Sequence, residues 1–210
     1  MIDGHVPSVV SGWMLEARFN HIAFLVRSVC DSAEIEDLGA YPKGPAEKWD
    51  GEGTLEIYVG PEKAIGRLLL MEPIADGAYR RAMEKRGPGL HHIAIDVLDI
   101  EAYISYLSGT GWLLHPQTIK TLKASRTAYL ARPGIPMLIE VQERKEFSAE
   151  PLFIDRVELS LPPEQFRILN CLRVRELVPS HGEGIFLSVG GLTIDTSGLI
   201  SATKSPSLNP

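Results

Sequence analysis

Cysteine is scarce in this chain. Cys30 and Cys171 sit in distant segments with no CxxC spacing, which argues against a disulfide scaffold or a zinc knuckle and leaves two ordinary reduced thiols. Long apolar runs are missing too. Ile22 to Val26 and Leu68 to Met71 fall far short of the roughly 20 residues needed to span a bilayer, and the N-terminus lacks a cationic start followed by an apolar stretch. There is no clustered basic stripe in a sequence of net charge -6 and pI about 5.5, which argues against nucleic acid as the main partner. What remains, at 44% hydrophobic and 23% charged residues, is the composition of a soluble globular protein with a full core. The sequence predicts a cytoplasmic protein, off the membrane, whose partners are small molecules, anionic ones among them.

Against these absences stands a repetition. Phe19-Asn20-His21-Ile22-Ala23-Phe24-Leu25-Val26 and Leu90-His91-His92-Ile93-Ala94-Ile95-Asp96-Val97 read as one strand written twice, 71 residues apart, with His21 and His92 matched. Carried forward without a gap, the offset pairs Tyr58 with Tyr129, Glu72 with Glu143, Pro73 with Arg144, and Leu68-Leu69-Leu70-Met71 with Ile139-Glu140-Val141-Gln142. A duplication of this period, one supersecondary unit per copy, predicts that the copies pack together and share what lies between them.

The pattern predicts an α+β chain of paired βαβββ modules. Residues 1–17 read as an N-terminal extension lying on the surface or over a partner. Module one (residues 18–88) is expected to hold strands at 19–26, 54–59 and 67–72, a helix at 31–38, and a helix over 76–86 that stops at Gly87-Pro88-Gly89. Module two (residues 89–146) repeats the order, with strands at 90–97, 127–131 and 136–142 and a helix at 100–108. Residues 147–210 give β-α-β-β-β again: a strand at 153–161, a helix opened by Pro163 and running to Leu177, then short strands, with a tail from Lys204 to Pro210. Laying Ile154-Asp155-Arg156-Val157 on Phe19-Asn20-His21-Ile22 puts Arg156 at the histidine position. This segment reads equally as a third, degenerate module or as an appended α+β piece.

Alternate side chains of a strand share one face, so His92 and Glu140 can address the same concave surface, and His21 can reach it from the other copy. Two imidazoles and one carboxylate form the facial set that holds a divalent transition metal and leaves positions open for substrate. His91, next to His92 on a regular strand, should face the other way and pack or lie at the surface. His5, His115 and His181 sit in Pro/Gly-rich stretches and read as exposed.

At these residues the chain resembles the vicinal oxygen chelate superfamily, which includes glyoxalase I, methylmalonyl-CoA epimerases, extradiol dioxygenases and antibiotic-resistance proteins. Leu69-Leu70-Met71-Glu72-Pro73, Glu84-Lys85-Arg86-Gly87-Pro88-Gly89, Leu90-His91-His92-Ile93-Ala94 and Leu138-Ile139-Glu140 are similar to strings of the epimerase members at comparable separations. The resemblance covers residues 19–144. It implies modules curled into a mixed-sheet cleft around a metal bound by His21, His92 and Glu140, the ion being Zn, Co, Mn, Ni or Fe(II).

Leu69 stands where the epimerases and glyoxalases have a fourth ligand, and Glu72 should lie on the opposite strand face. The implied chemistry is proton removal beside a carbonyl of a small carbonyl, acid or acyl-thioester substrate, through a metal-stabilised enolate (epimerase, isomerase or lyase type). Glu140 and the loop carboxylates Asp50 and Glu52 are then the candidate catalytic bases. Leu69, Arg67, Tyr58 and Tyr129 are the candidate substrate contacts, while Arg80, Arg81, Lys85 and Arg86 read mainly as a solvated helix end. Two alternatives stay open: a nonhaem Fe(II) ring-cleaving dioxygenase, suggested by the three-ligand set, and a non-catalytic protein that sequesters a small ligand. A homodimer is expected.

Overall fold

The computed structural model describes residues 15–201. Most of the expected N-terminal extension, His5 and the tail from Lys204 lie outside the described residues. In chain order the first repeat contains β1 (Ala17–Leu25), α1 (Val29–Ala33), α2 (Glu36–Gly39), β2 (Glu47–Trp49), β3 (Thr54–Val59) and β4 (Arg67–Pro73). Helix α3 (Ala78–Arg86) leads into the second: β5 (Gly89–Val97), α4 (Ile100–Tyr106), β6 (Leu113–Leu114), α5 (Thr118–Ser125), β7 (Thr127–Ala131) and β8 (Leu138–Glu143). The C-terminal segment contains β9 (Arg156–Leu159), α6 (Pro163–Leu169), β10 (Leu177–Pro179), β11 (Ile185–Val189), β12 (Leu192–Asp195) and α7 (Ser197–Ser201).

Eight strands form one mixed sheet in the order β2-β3-β4-β1-β5-β8-β7-β6. The order is the same read from either end. The first strand of each repeat lies parallel to its last, and the two halves meet along an antiparallel β1/β5 seam. The register keeps the 71-residue offset, Ala23 facing Leu69 in one half and Ala94 facing Glu140 in the other.

The helix starts repeat as well. Ser28 Oγ accepts from the Asp31 N–H and Asp99 Oδ1 from the Ala102 N–H, and carboxylates Glu72 and Glu143 accept from the first helical N–H groups, those of Val29 and Ile100. These are the orphan donors that a helix N-terminus must satisfy. Glu72 is thereby tied to a helix on the far side of the sheet from the cleft residues, as strand alternation predicts.

Alternation also sorts the apolar side chains. Ile22, Phe24, Leu68, Leu70, Ile93, Ile95, Ile139 and Val141 join the α1, α2 and α4 side chains in one continuous core. Ala23, Leu25, Leu69 and Met71 form a small second cluster on the other face, capped by Tyr58, Tyr79 and the α3 residues Ala82 and Met83.

The C-terminal segment has the β-α-β-β-β element order expected of it, with strand pairing of its own. Its four strands run β10-β9-β11-β12, with β9 parallel to β10 and antiparallel to β11, whereas each repeat pairs its first strand with its last. The helix expected to reach Leu177 stops early. Arg173 adopts φ 57 after a short 3-10 turn, and Leu177-Val178-Pro179 return beside β9. Side chains of this unit, Val157, Leu159, Phe166, Leu169 and Leu172, lie in the main core. Tyr103 of α4 donates its hydroxyl to the Leu172 carbonyl at 2.7 Å, and Phe153 packs edge-on to Tyr41. Gly60, at φ +119, leaves room for that ring: a Cβ there would stand 2.6 Å from Phe153 Cδ1.

Candidate metal centre

His21 from β1 and His92 from β5 face each other across the seam with their Nε2 atoms 3.1 Å apart, and Glu140 Oε2 from β8 lies 3.3 Å from His92 Nε2. All three side chains are buried, and one donor atom from each falls within 4.8 Å of the other two. Ligands bound at 2.0–2.2 Å to one cation stand about 2.8–3.6 Å apart in octahedral or tetrahedral geometry, so the spacing fits a shared ion. Among the described residues a second group of possible donors, Asp99, Glu101 and Glu143, is taken up by the Arg126 guanidinium, which donates to Glu101 and Glu143.

Two β-bulges aim the imidazoles. The β1/β5 pairing slips between Phe19 and His21 and between Ala23 and Phe24, leaving Asn20 and His91, another pair 71 residues apart, as the bulged residues. Each contacts the Nδ1 atom of the following histidine. Asn20 Oδ1 lies 2.7 Å from His21 Nδ1, and His91 Nδ1 lies 2.9 Å from His92 Nδ1. The Asn20 amide orientation is set because its Nδ2 donates to both Asp96 oxygens at 2.9 and 3.0 Å. His21 therefore carries its hydrogen on Nδ1 and presents the Nε2 lone pair to the cleft, as metal ligands require. His91 is a correction to the strand reading. The bulge turns it from an opposite-face residue into a buried neighbour of His92, its ring 4.9 Å from that of Tyr79 and tilted by 43°.

From Asn20 a polar chain runs round to Glu140. Asp96 accepts from Arg144 Nε at 2.8 Å, Arg144 donates to Gln142, and Gln142 Nε2 donates to Glu140 Oε1 at 2.6 Å. One Glu140 oxygen is thus tethered while Oε2 faces the histidines. Burial holds the imidazoles uncharged: His21 falls to about 3, with Arg67 and Arg144 adding to the effect, and His92 lies well below its ordinary value. Burial also pushes the Glu140 carboxyl up to about 7 against the Gln142 hydrogen bond. Neutral imidazoles and a basic carboxylate are a suitable donor set for a divalent cation.

The cleft holds a cavity of about 160 Å³ whose walls include Glu52, Glu56, Tyr58, Leu69, Tyr79 and Tyr129 beside His21, His92 and Glu140. Leu69 and Tyr58 are cross-strand partners on this wall. Arg67 lies just outside, stacked on Tyr58. Asp50 is not brought into this cavity: it is exposed on the rim, paired with Lys48 at 2.7 Å. Glu52 reaches the outer end, where the cleft opens into a larger cavity of about 690 Å³.

Sequence reasoning missed Glu56. Its β3 side chain is only 8% exposed, Thr54 Oγ1 donates to Oε1 at 2.8 Å, and burial, reinforced by Glu52 and Glu47, pushes its carboxyl up to about 7. The alternation Thr54-Glu56-Tyr58 with Tyr58 on the cleft face was the available signal. Burial likewise raises the Tyr58 hydroxyl to about 12 and the Tyr79 and Tyr129 hydroxyls further still, so all three stay protonated donors.

No family model and no curated protein matches the chain. Solved structures do. A hypothetical protein BH1468 from Bacillus halodurans C-125 is 24% identical, with a TM-score of 0.52 over 64% of this chain and 99% of that one. A methylmalonyl-CoA epimerase from Mycobacterium tuberculosis is 22% identical at TM-score 0.44, over 60% and 86% of the two chains. A methylmalonyl-CoA epimerase in complex with methylmalonyl-CoA and NH4+ is 19% identical at 0.47, over 63% and 99%. What the chain shares with these structures is the glyoxalase-like fold, over about three-fifths of its length.

Proposed function

We propose that this chain is a metal-dependent enzyme that moves a proton beside a carbonyl of a small acid or acyl-thioester substrate, an epimerase or isomerase. The observation that carries the reading is the pairing of a metal-ligand set with a separate carboxylate in the same cleft: His21, His92 and Glu140 on one side, Glu56 on the other. His21, His92 and Glu140 would hold a divalent cation, which would supply Lewis-acid polarisation of substrate oxygens and so acidify the neighbouring C–H bond.

The remaining roles fall to the chain itself. Glu56 has one oxygen tethered by Thr54, which leaves Oε2 for the substrate, and a carboxyl near 7 exchanges protons at neutral pH. Leu69, Met71 and the tyrosine rings exclude water from the reacting carbon. Glu140, whose carboxyl is also raised to about 7, is the second candidate base, and Glu52 stands at the entrance.

Deuterium wash-in tests the proposal. Metal-loaded protein in D2O should exchange the hydrogen alpha to the carbonyl of 2-alkyl acyl thioesters, read by proton NMR. Glu56→Gln should slow this by about 10²–10⁴-fold while metal content stays the same. Exchange that persists undiminished in the variant removes Glu56 as the base.

A second reading rests on Leu69. An apolar side chain at the fourth corner leaves the two-histidine, one-carboxylate set of nonhaem iron dioxygenases. Oxygen uptake on catechols after anaerobic loading with ferrous iron, without any alpha-hydrogen exchange, would favour it.

A further inference from the structure

We infer that Arg67 and Arg144 form a subsite for a monoanionic carboxylate of the substrate, a group beyond the oxygens that face the metal ligands. The inference rests on the metal-centre reading for its orientation but stands on different residues. Beside His21 the cleft continues into a cavity of about 230 Å³ lined by Asn20, Tyr58, Arg67, Gln142 and Arg144. Arg67 is the cross-strand neighbour of His21. Its guanidinium lies over the Tyr58 ring at 4.3 Å and, among the described residues, has no carboxylate partner. A half-buried guanidinium, stacked and unpaired next to a reaction centre, presents a planar fork to an incoming anion.

The charge of the subsite selects the ligand. Arg67 and Arg144 contribute two positive charges, and Asp96, bonded to Arg144 at 2.8 Å, removes one. One positive charge is left, which suits a monocarboxylate better than a dianionic phosphate. Asn20 and Gln142 add amide groups at the same wall.

The duplication supplies a second, independent argument. Its 71-residue offset pairs Arg67 with Leu138, Gln142 with Met71, Arg144 with Pro73 and Asn20 with His91. The frame of the two halves is matched, yet three of these polar residues face an apolar or imino counterpart. Leu138 and His91 line the wide cavity of about 690 Å³ at the opposite end. One end of the cleft is therefore cationic and narrow, the other wide and partly apolar. A substrate enters with its carboxylate at Arg67 and its body toward Leu138 and Tyr79.

The test compares two stable 2-oxo acids that differ only in a terminal carboxylate, 2-oxoglutarate and 2-oxopentanoate, by calorimetry on Co(II)-loaded protein. The native chain should prefer 2-oxoglutarate by about tenfold or more, the scale of one charge-assisted hydrogen bond. Arg67→Leu should erase the preference and Arg67→Lys should keep part of it, with the Co(II) visible spectrum of the unliganded protein unchanged. No preference in the native chain, or a preference that survives Arg67→Leu, overturns the subsite while leaving the metal centre standing.

If Co(II) does not bind, the metal-centre reading fails. The subsite is then judged on metal-free protein by ligand-observed NMR with glutarate, whose signal should attenuate for the native chain and not for Arg67→Leu. Inorganic phosphate binding more tightly than glutarate would overturn the assignment to a carboxylate.

Discussion

Glu56 shows how one burial sets both chemistry and stability. Its folded carboxyl titrates near 7, above the ordinary 4.5, chiefly because burial disfavours the charge. The folded state thus binds more protons than the unfolded state between those values, so this residue favours folding at low pH and that contribution is lost as pH rises through about 7. Glu56→Gln removes the titration. The thermal midpoint of the metal-free variant should gain on the native protein between pH 5 and pH 8, by differential scanning calorimetry in parallel buffers. A difference that stays flat across that range would mean that Glu56 is solvated. His21 and His92 were readable from sequence because the repeat marks them twice. Glu56 has Thr127 as its counterpart, so no repetition points to it.

The two repeats start their helices with the same device, and α4 offers the cleaner test. Asp99 Oδ1 accepts from the Ala102 N–H at 2.9 Å, and replacing such a cap by alanine costs about 1 kcal/mol. Asp99→Ala should therefore lower the unfolding free energy by about that amount in a urea titration, with Co(II) binding intact; no loss would show that Glu143, bonded to the Ile100 N–H, suffices alone. Elements with an apolar face were legible from sequence: β1, β5 and β8 fall within two residues of their expected positions. β2 and α5 were not. All three β2 residues are exposed, and α5 buries only Thr118 while Ile119 is 79% exposed, so neither carries an alternating or helical stripe. The bulges at Asn20 and His91 escaped for another reason: a bulge arises from pairing between strands, which the residues of one strand do not encode.

At the scale of the whole molecule the C-terminal unit is part of the core. It lies against the helical layer of both repeats, through the Tyr103–Leu172 hydrogen bond, the α1/α7 contact and the α2/β12 contact. Truncation after Glu146 would remove Phe153, Val157, Leu159, Phe166, Leu169 and Leu172 from one continuous core, at a cost comparable with the whole stability of a domain, roughly 5–15 kcal/mol. The shortened chain should aggregate or melt far below the full-length protein. Light scattering that finds it monodisperse, with an unchanged melting curve, would show the unit to be dispensable. The strand order of this unit was not legible in advance, because a β-α-β-β-β succession is compatible with several pairings.

The seam between β1 and β5 has a consequence in time. His21 belongs to the first repeat, while His92 and Glu140 belong to the second, the last of them on the final strand of the sheet. On a ribosome adding about 5–20 residues per second, the first repeat emerges several seconds before the strand that completes the donor set. A nascent chain with only its first repeat exposed presents His21 without His92 and Glu140, so the three side chains come together only once β5 and β8 have joined the sheet.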